Sequence, residues 1–180
     1  MSTHSMQFQL NPERSKIEFK VRHMMLSRVT GHFKEFEGSL SWNPEVPAEC
    51  SASASIKVES IDTNDRSRDR HLIGPDFFDT SKYPLISFSS NHFLFETKTS
   101  FHVDGELAMH GVKKSVILHC TNVRITGTQT TGKSNLILSA STQIRRKDFG
   151  LMWNAAIEAG GIMVGDEIEI RLELDFDQKR

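Results

Sequence analysis

The chain has 180 residues, of which 37% are hydrophobic and 25% charged, and a formal net charge of -1. That fits one globular domain able to bury its own core, without the basic footprint of a nucleic-acid binder. Twelve Phe against one Tyr and two Trp give aromatic surface with few polar handles, suited to a packed core or to a lipid pocket.

The first residues, Met-Ser-Thr-His-Ser-Met-Gln, lack a basic segment followed by an apolar run. No stretch approaches the ~20 apolar residues of a membrane-spanning helix. A cytoplasmic protein is expected, or a periplasmic one if a leader is cleaved from a longer precursor. Transient membrane contact and homodimerisation are left open. Cys50 and Cys120 are expected to be free thiols.

Period-two alternation then dominates. Over residues 15–22, Ile17, Phe19 and Val21 oppose Lys16, Glu18, Lys20 and Arg22, which predicts a strand with one apolar and one solvated face. The same reading applies over 36–42 (Phe36, Gly38, Leu40, Trp42) and 51–59 (Ala52, Ala54, Ile56, Val58). Residues 62–84 break the pattern. They begin charged and end aromatic, and predict a short helix capped by Thr63 or Asn64 and ended by Gly74-Pro75.

Four strands follow. Residues 84–96 carry Ile86, Phe88, Phe93 and Phe95 with a bulge or bend between the pairs. Residues 99–109 carry Phe101, Val103, Leu107 and Met109. Residues 111–125 carry Val112, Val116, Leu118 and Cys120, then change parity at Val123 and Ile125. Residues 133–144 carry Leu136, Leu138, Ala140 and Ile144. Turns are expected at Asp104-Gly105, His110-Gly111, Gly127 and Gly132-Lys133. A second irregular segment spans 145–165. The last strand, with Ile168, Ile170, Leu172, Leu174 and Phe176 on one face, is the cleanest.

Eight one-faced strands must cover their apolar faces, and a closed barrel does so while removing sheet edges. The prediction is an all-β, eight-stranded antiparallel barrel with one or two short helical connections, in a single domain over 1–180 with its core at about 8–176. Such a barrel is wide enough to be filled by side chains or to hold one small ligand. Small inward residues such as Ala52, Ala54 and Ala140 fit either outcome. Candidate lining residues on the strands are Phe19, Val21, Phe36, Leu40, Ile56, Phe88, Phe101, Leu107, Met109, Leu118, Leu138, Ala140 and Ile170. Met25, Leu72, Phe77, Phe78, Phe149 and Leu151, on irregular segments, are candidates for the mouth.

The polar candidates are His23, Arg68, Asp69, His71 and Asp148, read either as a head-group site or as ion pairs and caps that fix loops. The eight histidines have no compact metal-ligand spacing, so no metal and no other cofactor is expected. No nucleophile elbow is present, so catalysis is not expected.

Several blocks together resemble the YceI family of polyisoprenoid-binding proteins with a lipocalin-like barrel. They are Asn11-Pro12-Glu13-Arg14-Ser15, similar to the family's aspartate-x-x-x-serine opening with Asn11 in place of Asp; Ser60-Ile61-Asp62-Thr63; Arg68-Asp69-Arg70-His71-Leu72; Asp76-Phe77-Phe78-Asp79; Tyr83-Pro84; Val103-Asp104-Gly105-Glu106-Leu107; and Arg146-Lys147-Asp148-Phe149-Gly150-Leu151. The resemblance implies a barrel with a central apolar channel that stores or carries an isoprenoid lipid or isoprenoid quinone. The alternatives are a scavenger of varied lipophilic compounds and, less favoured, an enzyme acting on a quinone.

Overall fold

Side chains of opposite parity need opposite surroundings, and the chain meets that need by rolling its strands into a closed sheet. The structure, a computed structural model, describes residues 5–24, 26–128, 133–157 and 161–179. In chain order the elements are β1 (Met6–Leu10), β2 (Lys16–His23), β3 (Ser27–Phe33), β4 (Phe36–Trp42), β5 (Ser51–Lys57), β6 (Ile61–Asp62) and α1 (Arg66–Ile73). There follow β7 (Leu85–Phe95), β8 (Phe101–Met109), β9 (Val112–Thr128), β10 (Lys133–Arg145), β11 (Ala156–Ile157), β12 (Gly161–Ile162) and β13 (Val164–Gln178). Eight strands close the barrel in the order β1, β4, β5, β7, β8, β9, β10 and β13, with β13 returning to β1. All of these pairs are antiparallel.

The ring differs from the expected one in a single member. The strand read at 15–22 exists as β2, but β1 takes the ring position. β13 is long enough to serve both. Its end pairs with β1 (Phe8↔Gln178, Leu10↔Phe176), and its beginning pairs with β2 (His23↔Val164, Ile17↔Leu172). β2 continues to β3, and β3 to the two residues of β6. Thus β2 and β3 occupy at one end the place that β1 holds at the other. Barrel width grows with strand number, so the β2–β3 end is the wider one.

The narrow end is solid. Phe8, Leu40, Trp42, Phe93, Phe101, Val103, Cys120, Leu136, Leu138, Ala140 and Phe176 form one buried cluster. Trp42 lies 5.2 Å from the Phe101 ring and 5.4 Å from that of Phe95, inside the usual range for paired aromatics. Burial raises the Cys120 thiol pKa to about 12. Neither cysteine is in a disulfide.

Two bulges explain the parity breaks. Register slips between Ser90 and His92 in β7, and between Ile137 and Ser139 opposite β9, where Asn122 adopts φ +56°. Asp104-Gly105, expected as a turn, instead lies inside β8. A Cβ at Gly105 would fall 2.4 Å from two Phe88 ring atoms and 2.7 Å from the Ser89 carbonyl oxygen. Glycine there makes room for a ring, not for a reversal. The reversal comes at His110-Gly111, both at positive φ (+53° and +74°). The helix is present but is capped by Asp65, whose carboxylate accepts from the Ser67 and Arg68 amides at 2.9 and 3.0 Å. Gly132 and Gly160 lie outside the described residues.

The seam between β1 and β13 is short, and a polar latch reinforces it. Arg14 Nε donates to Asp175 at 2.9 Å, and its Nη2 also reaches Asp177. Asn11 donates to Asp177 at 2.8 Å, and Asn135 donates to both aspartates. Ser15 Oγ accepts from the Asp175 amide at 2.9 Å. Burial pushes the Asp175 pKa up, but Arg14 and Asn135 outweigh it; Asn11, then Arg14, lower that of Asp177. Both carboxyls therefore titrate below their unfolded values. Their contribution is fully present above about pH 4 and is lost as pH falls through the folded values. We expect Arg14→Ala to lower the melting temperature at pH 7 and to narrow its difference from the parent as pH falls through the folded values of Asp175 and Asp177. Thermal melts across pH check this, and an unchanged difference at low pH would rule out the latch as its source.

Candidate ligand-binding cavity

The wide end is hollow. A cavity of about 240 Å³ lies within it, with almost no polar side-chain surface in its wall. Its floor is the top of the solid core: Leu10, Phe88, Leu118, Leu174 and Phe176. Its sides are Ile17, Phe19, Val21, Phe33, Ile56, Ile86, Leu107, Met109, Val116, Ile144, Ile168, Ile170 and Leu172. Leu72 from α1, Phe77 and Phe78 from the following loop, and Leu151 complete the wall.

Two of the wall's rings owe their position to glycine. Phe88 lies against Gly105, and Phe19 against Gly31, where a Cβ would fall 2.3 Å from the ring tip. Each ring lies over the backbone of a neighbouring strand. The wall also opens between β9 and β10. Their ladder stops at Ser141↔His119, and beyond it Val116 and Leu118 on one strand, and Thr142 and Ile144 on the other, line the cavity. The 3-10 turn Arg146–Phe149 follows, and its Phe149 carbonyl accepts from His110 Nδ1 at 3.0 Å.

The expected lining residues thus divide. Phe19, Val21, Ile56, Leu72, Phe77, Phe78, Phe88, Leu107, Met109, Leu118, Leu151 and Ile170 are on the wall. Leu40, Phe101, Leu138 and Ala140 are not; they belong to the packed narrow end, with Phe101 2% exposed. Phe36 packs against both clusters, and Phe149 is buried behind the wall. The cavity found among the described residues lies in the end widened by β2 and β3, while the narrow end is filled by side chains. Met25 lies outside the described residues.

The polar candidates do not form one site. Thr63 accepts from Arg68 Nε at 2.8 Å, and its amide donates to Asp69 at 3.0 Å, so this group ties the start of α1 to β6. His71 meets Asp76 at 3.1 Å and packs its ring 4.6 Å from Trp153 and 5.2 Å from Phe77. His23 ends β2 opposite Val164, and Asp148 is exposed. Among the described residues neither contacts the α1 group, and no cluster of His, Cys, Asp or Glu is able to hold a metal.

The residue that organises the site is Arg146, which is 2% exposed. Its Nε donates to the Gly165 carbonyl at 2.9 Å and its Nη1 to those of Leu151 and Trp153 at 2.6 and 2.8 Å; Nη2 donates to that of Val164 at 3.2 Å. Asp166 Oδ1 stands 3.3 Å away without hydrogen-bond geometry, a Coulombic partner. Burial lowers the guanidinium's pKa, against the pull of Asp166. Sequence reasoning offered Asp148 as the acidic candidate of this segment. It missed Asp166, twenty positions along the chain, because only folding brings the start of β13 beside this turn.

The matched sequence and the shape of the barrel agree with a known family. The YceI-like domain family model matches residues 8–176. The chain belongs to that family. A UPF0312 protein of Photorhabdus laumondii is 37% identical over 133 residues, which is 74% of this chain and 68% of the relative. Among solved structures, BcnA of Burkholderia cenocepacia shares the fold with TM-score 0.77 at 23% identity, over 92% of this chain and 98% of that one. A polyisoprenoid-binding domain from Saccharophagus degradans does so with TM-score 0.69 at 14% identity, over 97% and 99%. Asn11, Arg14 and Ser15, the residues of the family-like opening, are the latch residues of this YceI-like chain.

Two outcomes test this geometry. Arg146→Met removes a donor from four carbonyls, of which that of Val164 keeps Asn154 Nδ2, and Arg146→Lys restores charge but not the planar fork. Both should destabilise by about 3 kcal/mol or more in denaturant titration. Space is tested by paired insertions. Ala54→Leu, on the cavity wall, should cost under about 1 kcal/mol, whereas Ala140→Leu, in the solid end, should cost about 1–3 kcal/mol. Equal costs would mean the wide end is not hollow.

Proposed function

We propose that this YceI-like protein binds and carries the apolar chain of an isoprenoid lipid or isoprenoid quinone in its wide end, without a chemical step of its own. The observation that carries the reading is the cavity wall: apolar side chains from almost every strand converge on one void that the core does not fill. Glu18, Ser39, Ser53, Thr142 and Arg146 border the cavity, but almost all of the surface they and their neighbours present to it is apolar, so it offers an apolar chain burial at about 0.8 kcal/mol per CH₂ and a polar solute little. The structural likeness to a domain described as polyisoprenoid-binding supports the same class of ligand.

The volume limits how such a chain fits. About 240 Å³ is below the ~300–1,000 Å³ of typical small-molecule pockets. The unliganded cavity takes the end of a chain, and a longer one extends by displacing the cap side chains Leu72, Phe77 and Phe78. The solid narrow end stops it at Phe88, Leu10 and Phe176.

Organic extraction of purified protein followed by mass spectrometry should yield one defined isoprenoid species. A mixture of unrelated lipophiles would favour the scavenger reading, and no apolar species at all would sink both. With emptied protein, isoprenoid alcohols of increasing length should bind more tightly per added unit until the cavity and cap are filled, then level off. Leu107→Asp places a carboxylate in the wall; it should abolish retention and cost several kcal/mol. Glu169→Lys, on the outer face between Ile168 and Ile170, loses its pairs with Arg28 and Arg171 and should cost about 1 kcal/mol or less while leaving retention intact.

A further inference from the structure

The wide end also carries exposed apolar side chains and an excess of basic over acidic side chains, side by side. Leu26, in the β2–β3 hairpin tip, is 99% exposed, and Met24 is 47% exposed. The Met24 amide donates to the Met163 carbonyl at 2.8 Å, which fastens the tip to the base of β13. Met152, between Leu151 of the cavity wall and Trp153 of the cap, is 60% exposed. A scattered exposed hydrophobic needs no explanation, but three at one rim, next to an apolar cavity, do.

Below the tip, the outer face holds a groove of about 520 Å³ lined by Lys20, Arg22, Arg28 and Arg145. Arg22 and Arg28 face each other directly across the β2–β3 ladder. Like charges in directly opposed positions destabilise a sheet. Three acids share the groove with these four bases, each with a partner of its own, and Glu167 stands opposite Arg145 on the β10–β13 ladder. Asp166 lies between Arg146 and Lys147 at 3.3 and 3.0 Å, and Glu167 accepts from Gln143 at 3.0 Å. Glu169 is shared between Arg28 and Arg171, at 3.7 Å from each. Lys20 has Glu18 at 3.5 Å. Among the described residues neither Arg22 nor Arg145 forms an ion pair, although Glu167 lies across the ladder from Arg145. Val21 borders both this groove and the interior cavity.

We infer that this rim is a docking surface for an anionic lipid bilayer, with Met24, Leu26 and Met152 entering the interface and Arg22, Arg28 and Arg145 meeting lipid phosphates. The charge pattern favours a bilayer over a second copy of the chain. A two-fold pairing of this face sets its arginines against their own copies, whereas phosphates relieve the Arg22–Arg28 repulsion. The chain's net charge is -1, so attraction to an anionic surface arises from this patch and not from the molecule as a whole. Docking here also brings the cavity end to the membrane, where an apolar chain transfers without crossing water. The surface rests on exposure and charge alone, so it stands or falls separately from the identity of the cavity's ligand.

Vesicle co-sedimentation tests it, with phosphatidylcholine vesicles and with vesicles carrying roughly one third phosphatidylglycerol. The intact protein should partition onto the anionic vesicles and release as salt rises. Each basic residue near such a surface is worth ~1 kcal/mol, about fivefold in partitioning, so Arg22→Glu with Arg28→Glu should weaken binding at least 25-fold. Lys98→Glu with Arg124→Glu makes the same change in net charge outside the groove and should weaken it far less. Leu26→Asp should reduce binding without altering the melting temperature, since Leu26 touches no core. Absence of vesicle binding, or equal losses for the two charge pairs, would overturn the inference. So would concentration-dependent dimerisation abolished by Leu26→Asp with no vesicle binding, which assigns the face to self-association.

Discussion

The architecture depends on one strand edge being shared. β13 gives its last residues to β1 and its first ten to β2, so the two ends of the barrel are built from different strand sets. A ring of eight is narrow enough for side chains to fill it, and the cluster around Phe8, Trp42 and Phe101 does so. Where β2 and β3 stand in for β1, and β9 parts from β10, the same apolar faces no longer meet across the axis. The void is a consequence of topology. It does not need unusual residues, only a circumference too large for those present to close.

A void of that kind collapses unless something holds its rim, and Arg146 is the residue that does so. Its side chain connects the turn after β10, the stretch through Leu151 and Trp153, and the start of β13, using donors that no apolar residue could supply. The desolvation of a guanidinium is costly, and only near-complete hydrogen bonding offsets it. Directional polar bonds thus set the spacing of the apolar wall they surround. The glycine-backed rings of Phe19 and Phe88 complete the arrangement, because a ring placed over a strand's backbone leaves the axis clear.

Much of this was legible in the sequence. Alternation located the eight strands longer than β1 that carry a clear pattern, the two breaks of parity, and the inward faces of Phe19, Leu107 and Ile170. It did not reveal which strands would close the ring. β1 is five residues long, too short for a pattern to stand out, and β3 reads Ser-Arg-Val-Thr-Gly-His-Phe, where Gly31 hides the alternation. Nor did parity separate filled from hollow. Ala54 and Ala140 look alike on their strands, and only the width of the barrel at each level puts one beside a void and the other in a packed core. Asp104-Gly105 was misread because glycine marks two different needs, reversal of the chain and close approach of a ring. The partners of Arg146 were invisible for a simpler reason: carbonyl oxygens carry no sequence signature.

The seam that closes the ring joins Phe8 to Gln178, nearly the two ends of the chain. Contacts of such separation form late, because a long loop must be ordered before they return anything. During synthesis β1 emerges well before β13, its partner across the seam, while β4, its other neighbour, follows within a few dozen residues. Until β13 arrives, β10 shows a bare edge thirteen residues long, the kind of template that pairs with other chains. Its outward positions carry Ser139, Ser141, Gln143 and Arg145. Polar and charged side chains there keep an unfinished barrel soluble during the interval when its longest ladder has not yet formed.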